Sequence, residues 1–180
     1  MTVGLQTFNF KPKHSKNYQT QEFWSDFFKS KQINSNSEVE DLGTFEWYAD
    51  FETLLPHLQD GLIEGDAQRI FVPGCGNSLL SEKLCTSMNQ TRVSSIDFVP
   101  EIVQKMNERN VSGVTYTEGD FLQTGFDDNA FDCIIDKGSF DAICLDSDPE
   151  SQEKYNQYLV EQLRVLDPAS NGRLLIVSLL

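Results

Sequence analysis

The sequence is poor in basic charge, poor in histidine, and has no paired cysteines. Of its 180 residues, 14 are Lys or Arg against 28 Asp or Glu, a formal net charge of −14. A polynucleotide ligand needs basic side chains to meet its phosphates, so this balance argues against nucleic acid as substrate. The same acidity draws a basic protein partner closer, or serves solubility alone. The four cysteines, at 75, 85, 133 and 144, form no CxxC pair, and the 2 histidines form no cluster with them. No metal site is therefore expected. Unpaired cysteines fit a reducing compartment, and the expected location is the cytoplasm. Residues 1–21 contain Lys11, Lys13, His14 and Lys16 and no acid, as in an organelle transit segment, but they lack arginine, so a mitochondrial location is less favoured. No apolar run reaches the length of a membrane span and no secretory h-region opens the chain, so no membrane association is expected.

What the sequence does have is one organising stretch, Arg69-Ile70-Phe71-Val72-Pro73-Gly74-Cys75-Gly76-Asn77-Ser78. A short apolar run ends in two glycines one residue apart, and an amphipathic run from Leu79 to Met88 follows. The pattern predicts a buried strand, a tight turn and a helix start. Two glycines remove the Cβ atoms that would hold a ligand off the backbone. The helix beyond offers unpaired N–H groups and the positive end of its dipole, with Asn77 or Ser78 as its cap. The third glycine of the dinucleotide fingerprint would fall at Leu79, and no Walker lysine follows, so a nicotinamide enzyme and a P-loop are both disfavoured. About 20 residues on, a second strand, Val93-Ser94-Ser95-Ile96-Asp97, ends in an acid placed to reach ribose hydroxyls. Val114 to Glu118 leads into Gly119-Asp120-Phe121, and residues 131–136 end at Asp136. Strand ends carrying Gly, Asp, Asp and Asp suit a ligand with a ribose and an adenine amine.

At this length one domain with a full core is expected. Residues 1–18 read as polar and loose. Trp24, Phe27 and Phe28 share one face of a helical stretch, either packing on the core or also covering a ligand. A surface loop follows through Asn34-Ser35-Asn36-Ser37 to Gly43. Phe45-Glu46-Trp47-Tyr48 then runs into a helix that Pro56 kinks or shortens. Beyond this, strand 69–73, helix 78–88, strand 93–97, helix 99–109, strand 114–118, strand 131–136, helix 150–166 and strand 173–180 alternate. Pro100 suits the first turn of its helix. In helix 150–166, Tyr155, Tyr158, Leu159, Leu163 and Leu166 lie on one side. The alternation predicts an α/β fold, a Rossmann-like doubly wound parallel sheet. Residues 1–43 form an N-terminal segment and 44–180 the ligand-binding core.

Three pieces carry a resemblance: Phe45-Glu46-Trp47-Tyr48, Gly74-Cys75-Gly76-Asn77-Ser78, and Asp136-Lys137-Gly138-Ser139-Phe140-Asp141-Ala142. Over roughly residues 22–180 the chain resembles the seven-β-strand, S-adenosyl-L-methionine-dependent methyltransferases, in particular the subgroup that methylates lysines of translation elongation factor 1A. The Asn/Asp-Pro-Pro-aromatic motif of amino-directed nucleic-acid methyltransferases is absent. The resemblance implies strand order 3-2-1-4-5. It implies that Gly74 and Gly76 admit the methionine part of the cofactor, that Asp97 binds the ribose and Phe98 packs on the adenine. It further implies that Asp120 accepts from the adenine amine beside the Phe121 N–H, that Lys137 contacts the cofactor, and that Trp24, Phe28 and Trp47 close over it. A tyrosine is common in the family where Phe28 stands. The sixth and seventh family strands are missing after strand five, so a fragment or an incomplete product is expected, with 173–180 as an apolar sheet edge.

Methyl transfer to an amine is a direct displacement that requires a neutral nitrogen in line with the methyl. A lysine ammonium, with a pKa of about 10.4, must first lose a proton. Tyr48 and Trp47 offer aromatic faces to a cation. Asp136 either accepts that proton and orients the amine or caps the following turn. Asp141 is read as an N-cap. The leading expectation is a protein-lysine methyltransferase with elongation factor 1A as its basic substrate. A small-molecule methyltransferase and a non-catalytic cofactor-binding domain are the alternatives.

Overall fold

The computed structural model of the protein describes residues 18–33, 44–58, 69–88, 91–144 and 148–179. The stretch 1–17, expected to be loose, and the loop expected through 34–43 lie outside the described residues. Five strands form one parallel sheet: β1 (Arg69–Pro73), β2 (Arg92–Asp97), β3 (Val114–Glu118), β4 (Cys133–Lys137) and β5 (Arg173–Val177), in the order β3-β2-β1-β4-β5. This is the expected order. The chain steps outward from β1 to β3, then returns to place β4 on the other side of β1. The topology thus switches between β1 and β4, and ligands in open α/β sheets sit at the carboxyl ends of strands at such a point.

Burial explains the order. β1 and β4 are apolar on both faces, with Ile70, Phe71, Val72, Cys133, Ile134 and Ile135 all buried. Only central strands can bury both faces. β3 buries Tyr116 while Thr115, Thr117 and Glu118 stay exposed, and β5 is half-buried throughout, as edge strands allow. Alternate residues of β1 feed two cores. Ile70 and Val72 face one side, with Leu54 and Leu58 of α2 (Phe51–Leu58), Leu80 and Leu84 of α3 (Leu80–Ser87), and Ile102 and Met106 of α4 (Pro100–Glu108). Phe71 faces the other, stacked on Phe131 and edge-on to Phe126, beside Ile134, Val165 and Leu166.

Several elements differ from expectation. The aromatic helix, here α1 (Gln21–Ile33), does bury Phe27 and Phe28, and Tyr18, read as loose, packs on Phe23 and Trp24. The helix expected after Tyr48 begins only at Phe51, because the Asp50 carboxylate caps it by accepting the Thr53 N–H at 2.9 Å. Pro56 sits in its second turn, and the helix ends at Leu58. A short helix that the pattern did not show, α5 (Ser139–Cys144), follows β4 at once. In α6 (Pro149–Val165) the expected side is met at Tyr158 and at Leu166 just past the helix, with Tyr155 and Leu159 half-buried, but not at Leu163. Tyr158, Glu161, Gln162 and Val165 are buried, while Leu163 and Val160 are exposed. The polar pair is buried because it completes the chain between β3 and β4. Gln162 Nε2 donates to the Phe121 carbonyl at 2.9 Å, and Glu161 accepts from the Thr124 N–H and hydroxyl at 2.8 and 2.6 Å.

Candidate active site

Past Pro73 the backbone enters the left-handed region twice, with φ +56° at Gly74 and +52° at Gly76. A Cβ at Gly74 would lie 2.1 Å from Ser139 Oγ, and one at Gly76 would lie 3.3 Å from the Phe28 ring. Both glycines are thus demanded by conformation and by close approach. The turn is fastened to the end of β2. Cys75 N–H donates to the Ile96 carbonyl at 3.1 Å, and Gly76 N–H donates to Asp97 Oδ2 at 2.8 Å. Val99 N–H donates to Asp97 Oδ1 at 3.0 Å. Asp97 is therefore both an anchor of the glycine turn and a buried acceptor beside it. Burial pushes its carboxyl up to about 6, against the pull of these N–H donors. Ser139 Oγ closes the other side of the turn by donating to the Pro73 carbonyl at 2.9 Å.

The turn opens on a cavity of about 280 Å³. Every residue expected to hold the cofactor lines it. Asp97, Phe98, Asp120, Phe121, Gly74, Gly76, Trp24, Phe28, Trp47 and Lys137 are all among its lining residues. α1 packs on the core through Phe27 and Phe28, and Trp24 and Phe28 also line the cavity. The Trp24 indole is fixed by donating to the Tyr18 carbonyl at 2.7 Å and meets the Trp47 ring edge-on at 5.8 Å. Tyr48 lines the cavity as expected.

The two outer motifs interlock across this cavity. Glu46 reaches three donors: Ser78 Oγ at 2.6 Å, the Leu79 N–H at 2.8 Å and Lys137 Nζ at 2.8 Å. It thereby caps α3 from a distant segment and neutralises a lysine whose side chain is only 4% exposed. Ser78 shares the capping by accepting the Leu80 N–H at 3.1 Å, as its position implied. Lys137 Nζ also donates to the Trp47 carbonyl at 3.1 Å. Burial lowers the Lys137 pKa while Glu46 holds it up. Lys137 therefore lines the cavity with its ammonium already committed to the segment above it. Tyr48 completes the interlock: its hydroxyl donates to Asp141 Oδ2 at 2.5 Å. Glu46 and Asp141 were missed as site residues, because their partners lie about 90 positions away in sequence.

Asp136 is placed differently from the catalytic expectation. It is 0% exposed and does not line the cavity. Its Oδ1 accepts from the Ser139 and Phe140 N–H groups at 2.9 and 3.1 Å, and its Oδ2 accepts the Tyr158 hydroxyl at 2.7 Å. This is the capping role, applied to α5, and it leaves the carboxylate behind the cavity wall. Asp141 lies within α5 and faces the cavity instead of capping the helix.

Comparisons with known proteins agree with this geometry. A family model described as a methyltransferase domain matches residues 70–169. The chain is 36% identical over 171 residues to the eEF1A lysine and N-terminal methyltransferase of Xenopus laevis, covering 93% of this chain and 23% of that protein. It is 30% identical over 165 residues to EEF1A lysine methyltransferase 4 of Mus musculus, covering 87% of this chain and 60% of that protein. The chain thus spans under a quarter of the first relative's length. Among solved structures, the PH0226 protein of Pyrococcus horikoshii shares the fold with a TM-score of 0.58 and 24% identity, over 85% of this chain and 63% of that one.

Proposed function

This chain belongs to the methyltransferase-domain family, and from that premise we propose that it binds S-adenosyl-L-methionine and carries its methyl group to a lysine of a basic protein, elongation factor 1A. The observation that carries the reading is one cavity lined by the glycine turn, by the strand-end carboxylate Asp97, and by Tyr48 with Asp141. The cofactor fits what is present. The left-handed glycines leave the turn without Cβ atoms, and the Asp97 carboxylate has acceptor capacity beyond the backbone N–H groups of Gly76, Phe98 and Val99. In this reading Asp97 holds the ribose hydroxyls, Asp120 accepts from the adenine amine and Phe98 packs on the ring. Gly74 and Gly76 admit the methionine part.

The cofactor, when bound, supplies a methyl group on a positively charged sulfur. The protein's task is to place and desolvate a neutral amine. The Trp47 and Tyr48 rings favour a cation nearby by about 0.5–2 kcal/mol each, and closure of the aromatic segment keeps water out. The target follows the names of the similar proteins, and the net charge of −14 suits a basic partner. The test is incubation of the purified chain with isotopically labelled S-adenosyl-L-methionine and purified elongation factor 1A, followed by peptide mass spectrometry. Label on a lysine of the protein is the expected result. Label on free small amines instead points to a metabolite enzyme. Saturable cofactor binding without transfer to either points to a non-catalytic binding domain.

A further inference from the structure

The part of the cavity lined by Tyr48, Gly138 and Asp141 has a chemistry of its own. A phenol has one proton, and Tyr48 gives it to Asp141. Asp141, 5% exposed, is held in return by two more donors: the Ser178 hydroxyl at 2.5 Å on Oδ1 and the Leu179 N–H at 3.1 Å on Oδ2. With its proton spent, the Tyr48 oxygen has only lone pairs left to offer the cavity. Burial and the adjoining carboxylate raise the phenol's pKa, so it keeps that proton and does not act as a phenolate.

Nor is the ring free to turn away. Tyr48 has φ +64°, rare and costly for a bulky residue, at the centre of a three-residue turn in which Ala49 N–H donates to the Trp47 carbonyl at 2.7 Å. Lys137 grips that same carbonyl. Below, the ring lies on Gly138, where a Cβ would come within 3.1 Å of it. Among the described residues, the lysines that line the cavity are engaged elsewhere: Lys154 with Gln19 Oε1 at 2.7 Å and Glu150 at 3.2 Å, Lys137 with Glu46.

We propose that Tyr48 and Asp141 form an acceptor-only site for the substrate nitrogen, which admits an N–H donor and repels a carboxylate or phosphate. Asp141 is the positioning residue, and Tyr48 is the group that touches substrate. The proposal rests on the amine-methylation reading and adds how the amine is chosen and aimed. A neutral amine that donates one N–H to the Tyr48 oxygen has its lone pair fixed in direction. That pair forms the new N–C bond as the C–S bond breaks with its electrons passing to sulfur, and the extra proton of the product ammonium leaves to solvent.

The test is binding of a minimal probe, independent of turnover. The chain is labelled with ¹³Cζ-tyrosine, loaded with S-adenosylhomocysteine, and titrated with n-butylammonium chloride or sodium butyrate at matched ionic strength. Tyr48→Phe assigns the resonance. The Tyr48 signal is expected to move with butylammonium and not with butyrate, and Asp141→Asn is expected to weaken the amine response by about fivefold or more. In turnover, Tyr48→Phe, which keeps the ring on Gly138, is expected to lower kcat about tenfold while cofactor affinity changes by less than about twofold. A signal indifferent to the amine, an equal response to butyrate, or unchanged kcat in Tyr48→Phe overturns the proposal even if the wild type methylates protein. A selective amine response in a chain that methylates nothing supports the site and overturns the methyltransferase reading instead.

Discussion

Asp97 closes β2 and Asp136 lies one residue before the end of β4 in the same sheet; both are buried, and burial pushes both up to about 6, yet their uses differ. Asp136 spends its lone pairs on α5 and Tyr158, whereas Asp97 keeps capacity toward the cavity. In each case the folded pKa lies above the ordinary carboxylate value. The stability each contributes is therefore fully present below about pH 4 and lost as pH rises through about 6. Asp136→Asn removes that titration while the amide oxygen still caps α5. Relative to the variant, the wild type is expected to lose of order 2 kcal/mol between about pH 4.5 and 7, which urea unfolding across that range measures. A pH-independent difference would show that Asp136 is not titrating there. For Asp97 the readout is ligand affinity. If the ionised form accepts the ribose hydroxyls, S-adenosyl-L-methionine is expected to bind about tenfold more weakly at about pH 5 than at pH 7. Asp97→Asn should weaken binding by about 10- to 100-fold at pH 7 and flatten the profile, as calorimetric titration would show. At Gly74 both conformation and space are closed to a side chain, while Gly125, at φ +73°, has nothing within 4 Å of a built Cβ. Gly125→Ala is expected to cost only the left-handed penalty of about 1–2 kcal/mol, and Gly74→Ala distinctly more, by thermal unfolding.

At the scale of elements, the segment 44–50 is not part of a helix but a strap held at two points, by Glu46 on α3 and β4 and by Tyr48 on α5. The Glu46–Lys137 pair is the firmer point because the lysine is nearly sealed. Removing the acid alone leaves a buried ammonium with one carbonyl partner and α3 without its first capping acceptor. Glu46→Ala is expected to cost about 3 kcal/mol in urea unfolding and to loosen the Trp47 cover, weakening cofactor binding. Glu46→Ala combined with Lys137→Met, which buries an apolar chain in place of the charge, should recover most of the stability but not the cap. If the double variant were no more stable than Glu46→Ala, the buried charge would not be the source of the loss. This strap was half legible in the sequence. Phe45-Glu46-Trp47-Tyr48 and Asp136-Lys137-Gly138-Ser139-Phe140-Asp141 each stand out as unusual, but nothing in their local pattern tells that they bind one another. The same limit explains α6, where apolar periodicity pointed to Leu163 and the fold buried Gln162 and Glu161 for their hydrogen bonds to the chain between β3 and β4.

The molecule as a whole divides what sequence can tell from what it cannot along one physical line. Strands with both faces apolar, glycines at a turn and acids at strand ends are local signals, and from them the sheet, its alternation and the cavity residues Gly74, Gly76, Asp97 and Asp120 were legible. Asp136 and Asp141 show where locality fails. Asp136, inside β4, and Asp141, on α5, are acids five residues apart, and only the fold decides that Asp136 turns into the wall while Asp141 turns into the cavity. The global charge is legible too, and it acts at a longer range than any pair contact. An excess of 28 acids over 14 bases creates a field that steers a basic protein toward the chain, but that field decays over about 10 Å at 0.1 M salt. The buried interactions that would hold the cofactor, such as Asp97 behind the glycine turn, are screened far less. The two steps of the proposed reaction should therefore separate by ionic strength. Raising salt from about 0.05 to 0.3 M is expected to lower kcat/KM for elongation factor 1A several-fold, through the encounter rate, while the affinity for S-adenosyl-L-methionine changes by less than about twofold. A short lysine peptide, carrying little net charge, should show a much smaller salt effect than the folded protein. If peptide and protein responded alike, the acidity of the surface would serve solubility alone, and recognition of the partner would have to come from contacts in the part of the cavity lined by Tyr48 and Asp141.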